Sequence, residues 1–260
     1  MEQLLVRDPV LRSRALPDVA ANLISRTSAL RNSLPPGVSA GLAQLVRVMN
    51  CYYSNLIEGH NTHPVDIERA LNNDYSADPI ERNLQIEAGA HIPVQRWIDD
   101  GGLEGREMTA TGLAEIHHRF AQRMPEELLW VEHPATGDRL RGVPGAWRQV
   151  DVQVGRHVPV SSGALPRFLE RFERVYGKLD RFDRILSAAA AHHRLVWIHP
   201  FSDGNGRVAR LMSHAVLSQA LSSGGLWSVS RGLARGEREY KRHLAACDLP
   251  RRNDYDGRVR

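Results

Sequence analysis

His199-Pro200-Phe201-Ser202-Asp203-Gly204-Asn205-Gly206-Arg207-Val208-Ala209-Arg210 is the most informative segment of this 260-residue chain. Val208, Leu211, Met212, Ala215 and Val216 recur at helical spacing, so a helix begins near Asn205–Arg207. The Asp-Gly-Asn-Gly run ahead of it is flexible enough for consecutive backbone N–H groups to point at one spot. A glycine-rich turn running into a helix N-terminus is an anion cradle, because unpaired N–H groups and the helix dipole both favour negative charge. Arg207 and Arg210 are three residues apart, near one face, and their forked guanidinium groups suit phosphate oxygens. Their charge opposes the dipole at a helix start, so an anion is expected to compensate them. Asp-Gly and Asn-Gly are also hairpin turns, but the pattern that follows is helical rather than alternating. Taken singly, Asp203 reads as a helix cap and His199 as a core histidine. Their concurrence with two glycines and two arginines points to a site.

Outward from this segment the signal is overwhelmingly helical. Residues 41–57 place Leu42, Leu45, Val46, Met49, Tyr53, Leu56 and Ile57 on one helical face. The breaker Ser-Leu-Pro-Pro-Gly at 33–37 precedes them, and Gly59 follows in the C′ position that glycine prefers. Further helices are expected at 64–74 behind Pro64, 78–99, 109–123 capped by Thr109 or Thr111, 164–184, 185–198, 207–222 and 232–246. The stretch 133–146 reads as a turn-rich loop. Alternation with period 2 occurs once, through Val150, Val152, Val154, Val158 and Val160 about Gly155-Arg156, and predicts a β-hairpin. The fold class is therefore all-α with one small β-hairpin. The helix at 167–184 mixes both charge signs at helical spacing, the mark of a solvated face.

Composition narrows the function classes. Hydrophobic content of 42% with 25% charged residues fits a soluble domain with a real core, whereas 6% aromatics leave few stacking surfaces. A net charge of +4 and a pI near 9.4 favour an anionic partner such as a nucleotide, but the charges are dispersed, which speaks against nucleic acid. Cys51 and Cys247 form no CxxC pattern and argue against a disulfide framework or a cysteine zinc site. His60/His63, His117/His118 and His192/His193 lack partners at zinc spacing and read as structural or surface residues, His192 as a support behind His199. The N-terminal MEQLLVRDPVLRSR has no signal-peptide core, and no apolar run approaches the ~20 residues of a membrane span, so a cytoplasmic location is expected.

The segment His199–Arg210 resembles the HPFx(D/E)GNGRxxR motif of Fic-domain proteins, protein adenylyltransferases, without a mismatch. Residues 191–198 resemble the helix leading into that motif, and 145–160 the family's hairpin flap. The resemblance implies a mainly helical Fic fold and AMP transfer from ATP, with Mg²⁺, to a Ser, Thr or Tyr hydroxyl of a target protein. It implies His199 as general base. Asp203 would hold Mg²⁺ between the α- and β-phosphates. Gly204, Asn205 and Gly206 would form the anion hole. Arg207 would neutralise charge on the β-phosphate side as pyrophosphate leaves, and Arg210 would grip the γ-phosphate. A related branch carries Lys at the position of Gly206 and transfers a phosphoryl group, so glycine points to nucleotide transfer.

The flap residues Val152, Gln153, Val154 and Gly155 would dock the target's backbone by strand addition. Residues 239–248 resemble the family's base-binding segment and would put Tyr240 and Asp248 near adenine or ribose; Lys241 stands where a second Tyr is common. Ser54, Glu58 and Gly59 match the inhibitory pattern (S/T)xxxE(G/N) of the class with an N-terminal intramolecular brake, in which Glu58 pairs with Arg210. Physical reasoning concurs: a carboxylate in a helix's last turn is disfavoured by up to about 1 kcal/mol and is better explained by a cation elsewhere. The expected layout is an N-terminal helical region, 1–108, containing the inhibitory helix 41–59, and a catalytic core, 109–260, with flap 145–160 and motif 199–210. The tail RRNDYDGRVR stops where many relatives continue into helices, which leaves homodimerisation open, as self-modification is left open. Transfer of another nucleotide, removal of AMP, and a catalytically silent nucleotide-binding module are the competing readings.

Overall fold

A computed structural model describes residues 15–132, 136–137, 139–246 and 248. The stretch 1–14, Cys247 and the tail beyond Asp248 lie outside the described residues. Ten α-helices run in chain order: α1 (Ala15–Ser33), α2 (Pro36–Ile57), α3 (Pro64–Leu71), α4 (Pro79–Asp99), α5 (Ala110–Ala121), α6 (Leu165–Tyr176), α7 (Arg181–Ile198), α8 (Asn205–Leu221), α9 (Val229–Arg235) and α10 (Glu237–Ala246). A single antiparallel pair, β1 (Trp130–Glu132) and β2 (Arg139–Arg141), and two short 3-10 helices, Glu126–Leu129 and Ser162–Ala164, complete the described elements. The mainly helical class with one small hairpin holds. No described helix is long and apolar enough to cross a membrane.

Local chemistry sets most boundaries. Asp78 caps α4, accepting from Ile80 N and Glu81 N, and Pro79 follows in the first turn. Thr109 Oγ1 accepts from Gly112 N at α5, and Asp180 from Asp183 N at α7. Two helix boundaries differ from expectation. α6 stops at Tyr176 and α7 starts at Arg181, because Gly177 ends one helix and the Asp180 cap begins the next. The helix expected over 232–246 is two, divided at Gly236. Helix α1 has no counterpart in the sequence reading; it buries only Ala20 and Thr27.

The hairpin also lies elsewhere than expected. Val154 and His157 form one isolated bridge around Gly155-Arg156, and the paired strands sit at 130–141, within the segment read as loop. The reason is Arg148, whose guanidinium donates to Val150 O and to Val160 O. Both legs of the 150–160 segment hang on one arginine instead of pairing with each other.

The core is built around α7 and α8. α8 is buried nearly all round, and Val208, Leu211, Met212, Ala215 and Val216 pack against Leu195 and Ile198 of α7 and Leu113 and Ile116 of α5. A separate small cluster of Val48, Cys51, Ile67, Ala88 and Ile92 joins α2, α3 and α4. The polar residues Asn205, Arg207, Arg210, Ser213 and His214 of α8 are buried among these helices.

Candidate active site

Helix α7 ends at His199 in the left-handed conformation, φ 52 and ψ 61, and the chain re-enters helix at Asn205. Gly204, at φ 75, is the residue before α8 and brings no side-chain cap. The first-turn N–H groups of α8 therefore lack intrahelical partners. The loop is shut by Asn205, whose Nδ2 donates to Phe201 O and whose Oδ1 accepts from Phe201 N, both at 2.9 Å. The side chain expected in the anion hole is spent on holding that hole's shape; its backbone N–H remains for an anion.

His199 Nδ1 lies 3.3 Å from Val196 O. A carbonyl only accepts, so Nδ1 carries the proton and Nε2 the lone pair. Burial brings this imidazole down to about pKa 4, so it is neutral at pH 7. Its backbone is gripped too: Arg148 Nε donates to His199 O at 2.8 Å, and Arg148 N to Pro200 O at 2.9 Å.

Helix α2 reaches the site from the N-terminal region. Ser54 Oγ accepts from Arg210 Nε at 2.8 Å, and Glu58 Oε1 accepts from Arg210 Nη2. Burial alone would raise the Glu58 carboxyl; the charges of Arg210 and Arg207 and the hydrogen bond from Arg210 outweigh it and hold the group below its ordinary value. The end of α2 is closed by a Schellman pair, His60 N to Asn55 O at 2.9 Å and Gly59 N to Leu56 O at 3.0 Å, with Gly59 at φ 86. A Cβ on Gly206 would meet Glu58 Oε1 at 2.5 Å and Arg210 Nη1 at 3.0 Å. A side chain at 206 would have to displace the end of Glu58 or of Arg210 in this state.

Arg207 is ion-paired with Glu87 of α4, and its Nη1 lies 4.0 Å from Asp203 Oδ2. The Asp203 side chain is 70% exposed and faces solvent beside the open α8 terminus. Among the described residues no three His, Cys, Asp or Glu side chains gather as a metal cage. A single solvent-facing carboxylate, which here accepts from Gly204 N, fits Mg²⁺, which is commonly held by one or two carboxylates plus substrate phosphates.

The remaining candidates fall at the periphery. Tyr240 Oη donates to His192 Nε2 at 2.8 Å, and His192 Nδ1 lies 2.9 Å from Ser213 Oγ, a chain running behind Arg210. Lys241, where a second tyrosine is common, pairs with Glu237 on the surface. Asp248 Oδ1 sits 2.7 Å from His157 Nδ1, joining the C-terminal segment to the 150–160 loop. In that loop Gln153 and Val154 are exposed beside Gly155, at φ 59, while Val152 is partly covered.

Sequence reasoning missed Arg148 and Glu87, and read His117 only as a structural or surface histidine. His117 Nδ1 accepts from Gly145 N at 2.8 Å, its ring stacks on Phe201 at 3.9 Å, and it also hydrogen-bonds the Asp203 backbone. It ties the motif loop to the start of the 145–160 segment. The only sequence signal was its place on the buried face of α5.

Known proteins resemble this chain in sequence and in fold. Residues 104–217 match the profile of the Fic/DOC family. A protein adenylyltransferase Fic of Drosophila yakuba is 42% identical over 171 residues, covering 65% of this chain and 32% of the relative. One from Nematostella vectensis is 29% identical over 227 residues, covering 80% and 48%. The chain spans about a third of the length of the Drosophila relatives and about half of the Nematostella one. Among solved structures, a Fic family protein from Desulfovibrio desulfuricans superposes with a TM-score of 0.66 at 16% identity, covering 95% of this chain and 69% of the other. Fic-1 from C. elegans superposes at 0.58 with 20% identity, covering 92% and 77%. Residues 104–217 of this chain form a Fic/DOC-family domain.

Proposed function

We propose that this chain is a protein adenylyltransferase with a built-in brake. It moves AMP from ATP to a Ser, Thr or Tyr hydroxyl of a protein. The hydroxyl oxygen attacks the α-phosphorus, its proton passes to Nε2 of His199, and the bond to the β-phosphate oxygen breaks to release pyrophosphate. The N–H groups opening α8 receive the phosphate oxygens, and Arg207 offsets charge on the leaving side. Mg²⁺, held by Asp203 with the phosphates, supplies further neutralisation of that charge. The 150–160 loop, with one bridge at Val154 and with Gln153 exposed, would take the target backbone by strand addition. Tyr240 and Asp248 flank the base-binding end. A reducing cytosol is the compartment this reading assumes.

One observation carries the brake: Ser54 and Glu58, from a helix far upstream, both bond the buried Arg210. An arginine already neutralised by an internal carboxylate is a poor seat for a γ-phosphate. Glycine at 206, where the phosphoryl-transfer branch carries lysine, supports nucleotide transfer.

The experiment is incubation of wild type and Glu58→Gly with α-³²P-ATP and, separately, γ-³²P-ATP, scoring label on the enzyme and on added proteins. Label from the α position alone, raised at least about tenfold by Glu58→Gly and abolished by His199→Ala, is expected. Label from γ alone means a kinase. No label with either nucleotide in the Glu58→Gly protein means a silent binding module, and equal labelling of wild type and Glu58→Gly removes the brake.

A further inference from the structure

We propose that Glu87 is a positioning residue of the phosphate site, holding the Arg207 guanidinium from behind with one edge turned toward the incoming nucleotide. The inference rests on the transfer reading above.

Two contacts hold the guanidinium, and a third marks its free edge. Nη2 is ion-paired with Glu87 Oε1, and both side chains are 8% exposed. Its face covers Phe120, with Cζ 5.3 Å from the ring centroid. Nη1 points the other way, 4.0 Å from the solvent-facing Asp203 carboxylate. A planar group held on one edge and one face can present only its remaining edge, and that edge lies on the Asp203 side. The second oxygen of Glu87 lies 3.4 Å from His60 Nδ1 without a hydrogen bond between them, so the hold on Glu87 comes from Arg207 and from its place in α4. Burial lowers the Arg207 pKa only to about 10, and the arginine keeps its charge at neutral pH.

Glu87 differs from Glu58 in its freedom to leave. Glu58 caps the end of α2 with its side chain one-third exposed, at 34%. Glu87 lies inside the 21-residue α4, next to Ala88, which has no exposure. It could withdraw only if α4 unpacked from the small cluster that joins it to α2 and α3. A carboxylate that can swing away gates a site; one that cannot orients its partner.

The test is a double-mutant cycle in the Glu58→Gly background, measuring kcat and KM for Mg-ATP. Glu87→Gln is expected to lower kcat/KM about tenfold or more, and to change it less than about twofold once Arg207 is Ala, because nothing is left to orient. Glu87→Asp, which keeps the charge on a shorter arm, should recover part of the loss. Melting curves accompany each variant, and if Glu87→Gln does not fold, Glu87→Asp takes its place in the cycle. A rise in activity on Glu87→Gln makes Glu87 a second gate and overturns the proposal. So does an equal loss in both backgrounds. If the Glu58→Gly parent transfers no label, the transfer reading fails by itself. The cycle is then read on Mg-ATP affinity by calorimetric titration, where the same non-additivity is expected and additive losses refute the role.

Discussion

A histidine can serve as a base only where its ring is neutral and one nitrogen keeps its lone pair, and two separable features give His199 both. The Val196 carbonyl assigns the proton to Nδ1, while burial keeps the ring neutral down to about pH 4. The proposed transfer by Glu58→Gly should therefore have a kcat/KM that is flat from pH 8 to pH 6. An ordinary imidazole, with a pKa of about 6.5, would lose more than half its base form over that interval. A loss of activity centred near pH 6.5 in a pH-rate series at saturating Mg²⁺ would show that the base titrates as an ordinary imidazole and is not the buried ring described. At this scale the sequence was informative where the residues are contiguous. His199, Asp203, Arg207 and Arg210 declare themselves together, whereas Arg148, His117 and Glu87 come from three other elements. Their types are ordinary, and only the fold brings them to the motif.

Helix α2 is presented to the site by its ends and its anchors. Arg47 Nε pairs with Asp99 Oδ2 at 2.7 Å, and Asp99 Oδ1 meets His214 Nε2 at 2.6 Å, pinning α2 to α4 and α8 well upstream of Glu58. The last turn depends on Gly59, whose φ of 86 costs a non-glycine residue roughly 1–2 kcal/mol. A Cβ there meets nothing within 4 Å, so Gly59→Ala strains the backbone alone. It should loosen the turn carrying Glu58 and raise basal labelling by up to about tenfold, since about 1.4 kcal/mol is a factor of ten. In the Glu58→Gly background it should change nothing. Unchanged basal labelling, or a gain in both backgrounds, would separate the glycine from the brake. Helix ends of this kind were legible beforehand because prolines, glycines and Asp or Thr caps act within a few residues of the boundary they set. The hairpin was misplaced for the opposite reason. Alternation at 150–160 reports a two-sided segment, but which carbonyls pair is decided by Arg148, a tertiary contact that no local pattern encodes.

Across the whole molecule, the site occupies the seam between the α2–α3–α4 cluster and the main core around α7 and α8. The seam is where the buried polar residues collect: Ser54, Asn55, Glu87, His91, Gln95, Arg207, Arg210 and His214 are each less than a tenth exposed. The sequence could not foretell this interior, since burial of a histidine or glutamate depends on packing from three helices at once. Its consequence is sensitivity to acid. Burial depresses His91 and His192 to about pKa 3 and His117 to about 4. Each has a lower pKa folded than unfolded, so between roughly pH 6.5 and 4 the unfolded chain binds more protons than the native one. Stability conferred by keeping these rings neutral is complete above about pH 6.5 and is lost as pH falls toward the folded values. Each ring contributes up to about 1.4 kcal/mol per pH unit in that window. Urea unfolding at pH 7, 6, 5 and 4.5 should show stability dropping steadily below pH 6.5, before most carboxylates titrate. In His117→Gln the slope should be shallower by one proton, because glutamine does not titrate. A stability constant from pH 7 to 4.5 would mean that these rings are already protonated or solvated in the native state, and that the seam is not the dry polar interior described.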